Sequence, residues 1–584
     1  MANYTIRNLY QGSYSAFEPS RNYSNAGSFG MTTDPKTANL LKEVSSKLSS
    51  GVKHIELSMV SPKVFDAVPQ QHLKEIKRLG KLTGVEFSLH GPVIDTTGIS
   101  QQGFSELNRE SAERKIINTL ERSHEINPNG NIPVVFHSGE GIPGSEWKTL
   151  GENRKAARLI AVEKESGRLM PLEEEKKFYP GEKVKENILS PEEALRSANA
   201  TKWDNSLAQV EFQRENAERI MQHIHPIFRG LYHDIVTGKR DPRTLLPEEE
   251  EQIKRLYSAT EYLKQADLSL RGLFDQAYKN AKTEEEKKRL EEASIKYGEM
   301  LKINKKGIPI QDPKTQADAM LFLLQRLHEI RPEMYVPLEE FAVNQSAKTF
   351  GNAAFQAYKK FKGTAPVINI ENPPAGFVLS TAEDLKNLVE ASRKEFIKKA
   401  VESGELSEEQ AKKQAEKLIG ATWDLGHINM LRGKGFKEED IIKQTEIIAP
   451  YVKHVHLSDN FGLEHTELPM GMGNVPFKKM MEKLGEKGFE AKKIIEAADW
   501  WQHFQAPPFQ ETLESFGSSI YSTGTGPYWS QAIGLQEGYM GGYGNMLPQL
   551  HYEMFGAGFS QLPLELGGQR AGAAGSRMSG RGME

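Results

Sequence analysis

The sequence predicts an α/β fold, a closed (β/α)8 barrel broken once by a long helical insertion. Three observations predict it. Short apolar runs, each ending in a polar or glycine-rich corner, alternate with stretches of helical periodicity, the pattern of parallel βαβ units. There are eight such runs, the number that closes a barrel. Their spacing is regular except between the fourth and fifth, where residues 144–349 intervene.

Taken in order, the strand candidates are residues 5–12, 54–59, 85–92 and 132–139, followed after the interruption by 365–374, 421–427, 452–460 and 493–498. Helical patterning fills 71–79, 106–126, 382–400 and 438–448 between them. The interruption is rich in Glu, Lys, Leu and Ala. Runs such as 248–257 and 283–293 alternate charge at i,i+4 spacing, as solvated helices do. No β pattern is evident there, so the expectation is an all-helical insertion whose last helix, 338–361, serves as the barrel's own fourth helix. The chain then divides into barrel strands one to four (1–143), the insertion (144–349), barrel strands five to eight (350–500), a Gly- and aromatic-rich C-terminal extension (501–566) and a tail of disordered composition (567–584).

Composition narrows the chemistry. The 584 residues include no cysteine, which excludes disulfides, thiolate catalysis and Cys-ligated zinc, so any metal must be held by His, Asp or Glu. The first residues lack the apolar run of a signal peptide, and no stretch approaches the ~20 apolar residues of a membrane span. A cytoplasmic enzyme with no membrane partner is therefore expected. The formal net charge of -4 carries no bulk signature of nucleic-acid binding. Residues 1–149 and 350–500 together carry as many acidic as basic side chains.

Six of the eight runs end in an imidazole or a carboxylate: His90, His137, Glu371, Asp424 with His427, His456, and Glu496. The loop after the seventh adds His465 and Glu467. Strand C-termini of a parallel barrel converge on one mouth, so residues hundreds apart in sequence become neighbours. A carboxylate at the end of an apolar run is costly to bury without a cation, and such a ligand set suits Zn²⁺, with Mn²⁺ or Mg²⁺ as alternatives. Two or three ions are expected. His54, Glu56 and Glu86 on the early strands, and His454 one layer below His456, fit a polar network inside the barrel. His223, His225 and His233 fall in the insertion, where residues two apart do not share a helix face.

With these residues in hand, the chain resembles the xylose isomerase-like TIM-barrel superfamily, and within it the endonuclease IV group of apurinic/apyrimidinic endonucleases, over about half its length. The resemblance implies that His90 and His137 bind one ion, which Glu371 bridges to a second held by Asp424, His456 and Glu496. His427 matches a ligand of a third ion. The group's Asp-x-His pair for that ion reads His465-Thr466-Glu467 here, an exchange of ligand types. After His90 the group's small residue, Pro and Tyr become Gly91, Pro92 and Val93. The implied activity is a DNA-repair hydrolase cleaving 5′ to abasic sites, with Glu371 and Glu496 as catalytic carboxylates. The runner-up is a sugar or sugar-phosphate isomerase or epimerase, in which two glutamates shuttle a proton beside a metal-bound carbonyl. The insertion leaves from the mouth, so it is expected to form a lid hinged at Gly139, Gly141 and Gly144.

Overall fold

The computed structural model describes residues 29–49, 52–100, 103–139, 141–151, 154–177, 187–281, 283–301, 312–497, 500 and 508–516. Eight parallel strands close into a barrel: β1 (Phe29–Thr32), β2 (His54–Ser58), β3 (Glu86–His90), β4 (Pro133–His137), β5 (Val367–Glu371), β6 (Ile419–Asp424), β7 (Val452–Leu457) and β8 (Lys492–Ile495). Each pairs with its neighbours in chain order, and β8 returns to β1 through Ile494 opposite Gly30. Seven strands lie where the apolar runs place them. The first does not. Residues 5–12 lie outside the described residues, and the barrel is closed by Phe29-Gly30-Met31-Thr32 instead. All four residues are buried, so the strand shows no alternation of apolar and polar side chains, and a glycine sits in its middle. That glycine is required. A Cβ on Gly30 would lie 2.5 Å from Ile494 Cδ1 and 2.8 Å from the carbonyl oxygen of His54, so the closing strand fits only because it has no side chain there.

The insertion is not all helical. Strands Glu146–Thr149, Lys155–Glu163, Leu169–Glu173 and Tyr335–Pro337 form a four-stranded antiparallel sheet around Lys155–Glu163. Alanine- and charge-rich sequence such as K-A-A-R-L-I-A-V-E reads poorly as a strand, and Pro171 interrupts its partner. Pairing of Tyr335 with Glu163 and of Pro337 with Ala161, far apart in the chain, supplies what local propensity lacks. Helices Pro191–Gln222, Pro247–Lys279, Glu284–Met300 and Pro313–His328 follow the expectation and build a core of their own around Trp203, Leu207, Leu263, Leu270, Leu323 and Leu327. The first begins with Ser190, whose hydroxyl accepts from the Glu193 amide while the Glu193 carboxylate accepts from the Ser190 amide.

Helix Leu338–Phe361 packs between helices Glu106–Ile126 and Ala382–Glu402, so it is the barrel's fourth helix, as its sequence position implies. The insertion is tied to the barrel by buried polar contacts. The Glu339 carboxylate accepts from the Ser145 amide (2.8 Å) and hydroxyl (3.1 Å), and Arg154 grips Asp384 through two hydrogen bonds of 2.7 and 3.0 Å. Bidentate pairs of this kind fix orientation as well as distance.

Barrel and insertion lie within one compact unit, Gly27–Pro508. Helix Phe509–Ser515 belongs to a second unit, and the remainder of the expected extension and tail, 501–507 and 517–584, lies outside the described residues. Among the described residues no helix is long and apolar enough to cross a membrane. The closing strand yields a stability prediction. Gly30→Val should lower stability by about 1–3 kcal/mol through overpacking at the β8–β1–β2 seam. Gly230→Ala, in helix Ile227–Val236 with nothing within 4 Å of the added methyl, should raise it slightly. Thermal melts of the two variants against the parent check both signs.

Candidate metal centre

The strand ends bring the expected ligands together. Parallel register sets Glu371 beside His137 and Asp424 beside His456, so residues on four strands reach the mouth at similar height. Glu371 stands at the centre, without solvent exposure. Its Oε2 lies 3.1 Å from His90 Nε2 and 3.4 Å from His137 Nε2, while its Oε1 lies 2.8 Å from His456 Nδ1. His456 Nδ1 is also 2.9 Å from Glu496 Oε2. Three groups of potential ligand atoms form here: His90, His137 and Glu371; Glu371, Asp424, His456 and Glu496; and His90, His456 and Glu496.

Backbone contacts decide which ring nitrogens face the mouth. His90 Nδ1 lies 3.0 Å from the Gly91 carbonyl oxygen, an acceptor only, so Nδ1 keeps a proton and Nε2 is the nitrogen that can offer a lone pair once its own proton has left. His427 is held the same way, with Nδ1 2.8 Å from the Asn372 carbonyl oxygen. Its Nε2 meets His465 Nε2 at 2.8 Å. Lone-pair atoms that converge in a buried pocket repel unless a proton or a cation lies between them. The donor set therefore fits a divalent cation bound by nitrogen and oxygen. Of the expected third site, the structure joins His427 to His465. Neither that pair nor Glu467 falls in a compact group of three or more ligand residues among the described residues.

A second tier, unread in the sequence, holds these ligands. Asn372 and Asp424 exchange side-chain and backbone hydrogen bonds of 2.8 and 3.1 Å, locking the ends of β5 and β6 together. Asp424 caps the short helix Leu425–Asn429 by accepting from the His427 amide at 2.6 Å, and it also accepts from Ser458 Oγ at 3.1 Å. The loop bearing His465 is clamped by Asp459, whose carboxylate accepts from the Gly471 and Val475 amides at 2.8 and 3.0 Å. Outer partners of this kind orient ligands and set their tautomers. A short Ser-Asp-Asn string after β7 is the only signal such residues leave in the sequence.

Below the mouth, the expected interior network is present for His54, Glu56 and His454. His54 Nε2 meets Ser88 Oγ at 3.0 Å, and Ser88 Oγ donates to Glu56 Oε2 at 2.7 Å. Glu56 in turn lies 3.0 Å from both His454 Nε2 and His456 Nε2. Glu86 departs from the expectation. Its side chain is 63% exposed and pairs with Lys492 at the N-terminal rim, because the first residue of β3 lies beyond the packed interior. His223, His225 and His233 lie in or beside the insertion's helices, away from the mouth ligands in every compact group.

Burial sets the electrostatics. Desolvation, then the charges of Glu496 and Glu371, push Asp424 up to about 7. Burial also works against a charged His90, but the Glu371 hydrogen bond and charge outweigh it and raise His90 to about 9. His456 is raised well above its usual value by Glu371, Glu496 and Glu56 despite its burial. The same imidazoles, led by His456, hold Glu371 well below the carboxylate range against a large burial penalty. His454, dominated by burial, falls to about 3 and is a neutral imidazole.

Comparison with known proteins covers part of this barrel. A family profile described as the xylose isomerase-like TIM barrel matches residues 367–517, which span β5 to β8 and carry Glu371, Asp424, His427, His456 and Glu496. The chain is a closed eight-stranded TIM barrel, and its second half matches the xylose isomerase-like kind. Proteins of this superfamily are generally enzymes. The uncharacterized protein MJ1311 of Methanocaldococcus jannaschii is 32% identical over 80 residues, 14% of this chain. That match spans about a quarter (26%) of the relative's own length. A solved D-tagatose 3-epimerase-like protein superposes over 84% of this chain and 99% of its own, at 13% identity and a TM-score of 0.35.

Protons held at the mouth of the metal-free protein must leave when a cation binds. A raised pKa means the proton is still present at neutral pH: His90 and His456 are then imidazolium, and Asp424 is partly protonated. Binding should therefore release about two protons per chain at pH 7 and tighten as pH rises towards 9. Isothermal titration with Zn²⁺ in buffers of different ionisation enthalpy measures this. Uptake without proton release would contradict the assignment of the mouth residues as ligands.

Proposed function

We propose that the chain is a metal-dependent phosphodiesterase of the endonuclease IV type, cleaving DNA 5′ to abasic sites with zinc at the barrel mouth. The carrying observation is the convergence of His90 and His137 on Glu371, beside the four-residue group that shares the same carboxylate. Two ligand groups joined through one glutamate suit a dinuclear clamp, and the His427–His465 pair offers a place for a third ion. Divalent cations there supply Lewis acidity towards a phosphate and acidify a water. Glu371, with one oxygen facing each group, sets their separation. Glu496, 15% exposed where the other ligands of its group are fully buried, faces the incoming substrate. Asn372 and Asp459 keep the surrounding loops in place while the substrate exchanges.

A second reading is supported by the completeness of the Glu371, Asp424, His456 and Glu496 group on its own. Used alone, it suits a sugar or sugar-phosphate isomerase or epimerase in which Glu371 and Glu496 pass a proton at the carbon beside a carbonyl. That reading gives His90, His137 and His427 no chemical task, which is why the hydrolase is preferred. An oligonucleotide carrying a stable abasic analogue, assayed beside a panel of ketoses and their phosphates, separates the two. Strand cleavage is expected. Glu371→Gln should reduce it by more than the ~10–100-fold usual for a residue that only orients a ligand. Sugar turnover with intact DNA would replace the first reading by the second.

The insertion bears on substrate choice. Its root is stitched to the loop after Glu371, with the Gly144 amide donating to the Gly376 carbonyl (2.9 Å) and the Val378 amide to the Ile142 carbonyl (2.8 Å). A Cβ on Gly139 or Gly144 would lie 2.7 Å from Val378 or Phe377. Gly139 and Gly144 permit close packing, and Gly141 takes a left-handed conformation in open space, so two of the three glycines expected to form a hinge are packed into a stem. We propose that the insertion is a standing wall beside the mouth, favouring a flipped-out nucleotide or a small substrate. Replacing 150–335 by a Gly-Ser linker should leave metal content unchanged and lower kcat/KM about tenfold, ~1.4 kcal/mol of transition-state binding; unchanged kinetics would reduce the insertion to an appendage.

A further inference from the structure

We infer that the barrel interior holds a separate cation site one layer below the mouth, formed by Glu56, His454 and the Nε2 face of His456. All three residues are without solvent exposure. Glu56 Oε2 lies 3.0 Å from His454 Nε2, and Glu56 Oε1 lies 3.0 Å from His456 Nε2, yet Glu56 Oε1 and both ring nitrogens have no aligned hydrogen-bond partner. This combination of close approach and misalignment is informative. Ligand atoms about 2.0–2.2 Å from a common zinc ion stand roughly 3.3–3.6 Å apart at tetrahedral angles, so the 3.0 Å spacings here admit an ion after a small outward shift. Each then lies off its neighbour's lone-pair axis, because the lone pairs aim at the ion. A hydrogen-bonded pair at the same distance would be collinear.

The alternative partners are already used. Glu56 Oε2 is supplied by the Ser88 hydroxyl, whose oxygen also meets His54 Nε2. Thr422, opposite His454 in the β6–β7 register, carries another buried hydroxyl with no partner, a further oxygen at this level. Buried polar atoms left unpaired in a native interior are few and call for an ion or a water. Two imidazoles and one carboxylate form a mixed nitrogen and oxygen set, which selects zinc over magnesium. His456 would then face the mouth with Nδ1 and the interior with Nε2, one ring lending a nitrogen to each side, and its last ring proton would pass to solvent as the ion loads.

The inference shares His456 with the mouth but fails or stands separately from it. Full-length protein crystallised with Zn²⁺ should give an anomalous peak at the zinc edge enclosed by Glu56, His454 and His456, distinct from any peak at Glu371. In solution, His454→Phe and Glu56→Gln should each lose one equivalent of zinc relative to the parent. Glu371→Gln should retain that equivalent. A water or no density at the interior position in zinc-soaked crystals overturns the inference, as does unchanged zinc content in a folded His454→Phe variant. If neither variant folds by circular dichroism, the anomalous map of the parent decides alone. Failure of the mouth reading has a different signature, with zinc content insensitive to Glu371→Gln but reduced by His454→Phe.

Discussion

Four carboxylates share the axis of one barrel, and the arrangement of the site follows from the cost of burying them. Glu56, Glu371 and Asp424 have no solvent exposure and Glu496 little. Ionised carboxylates in a dry interior are sustained only by compensating charge and hydrogen bonds. In the metal-free protein that compensation comes from protons on His90, His456 and Asp424, whose pKa values are displaced upward for that reason. Such a constellation is poised to exchange protons for cations. Perturbed groups gathered in one cleft are a mark of chemistry more than of stability, since an apolar lining would be cheaper to fold.

The scaffold meets this cost with rigidity. Parallel strands in register deliver His137 and Glu371, and Asp424 and His456, as neighbours. Behind them Asn372 and Asp459 pin loops through backbone amides and carbonyls and the Ser458 hydroxyl donates to the Asp424 carboxylate, so the ligands have few alternative rotamers. The insertion adds its own core and a fixed stem, with Arg154–Asp384 and Glu339–Ser145 as buried anchors.

Much of the barrel was legible because strands β2 to β8 bury apolar side chains in local runs, and because the ends of β3 to β8 carry His or a carboxylate that no core would tolerate unaided. Helices Glu106–Ile126, Glu438–Ile448 and Leu338–Phe361 were legible through periodicity, which depends on neighbours three or four residues apart. β1 was not, since a four-residue strand buried on both sides with a central glycine has no period to read. The insertion's sheet was hidden for a related reason: Lys155–Glu163 is rich in alanine and charge, and its partner Tyr335–Pro337 lies far along the chain.

The amino-acid sequence by itself determined the fold class, the absence of thiol chemistry and the residue types available to a metal, because each is set by local composition and pattern. Only the tertiary structure decided which of those residues meet. Glu371 joins two ligand groups because β5 lies beside β4 in register. Among the described residues His427, His465 and Glu467 all stay outside the compact groups, and Glu56, read only as part of an interior network, comes within 3.0 Å of His456. Distances of this kind depend on how strands separated by hundreds of residues align across the barrel, and no local pattern in the chain encodes that alignment.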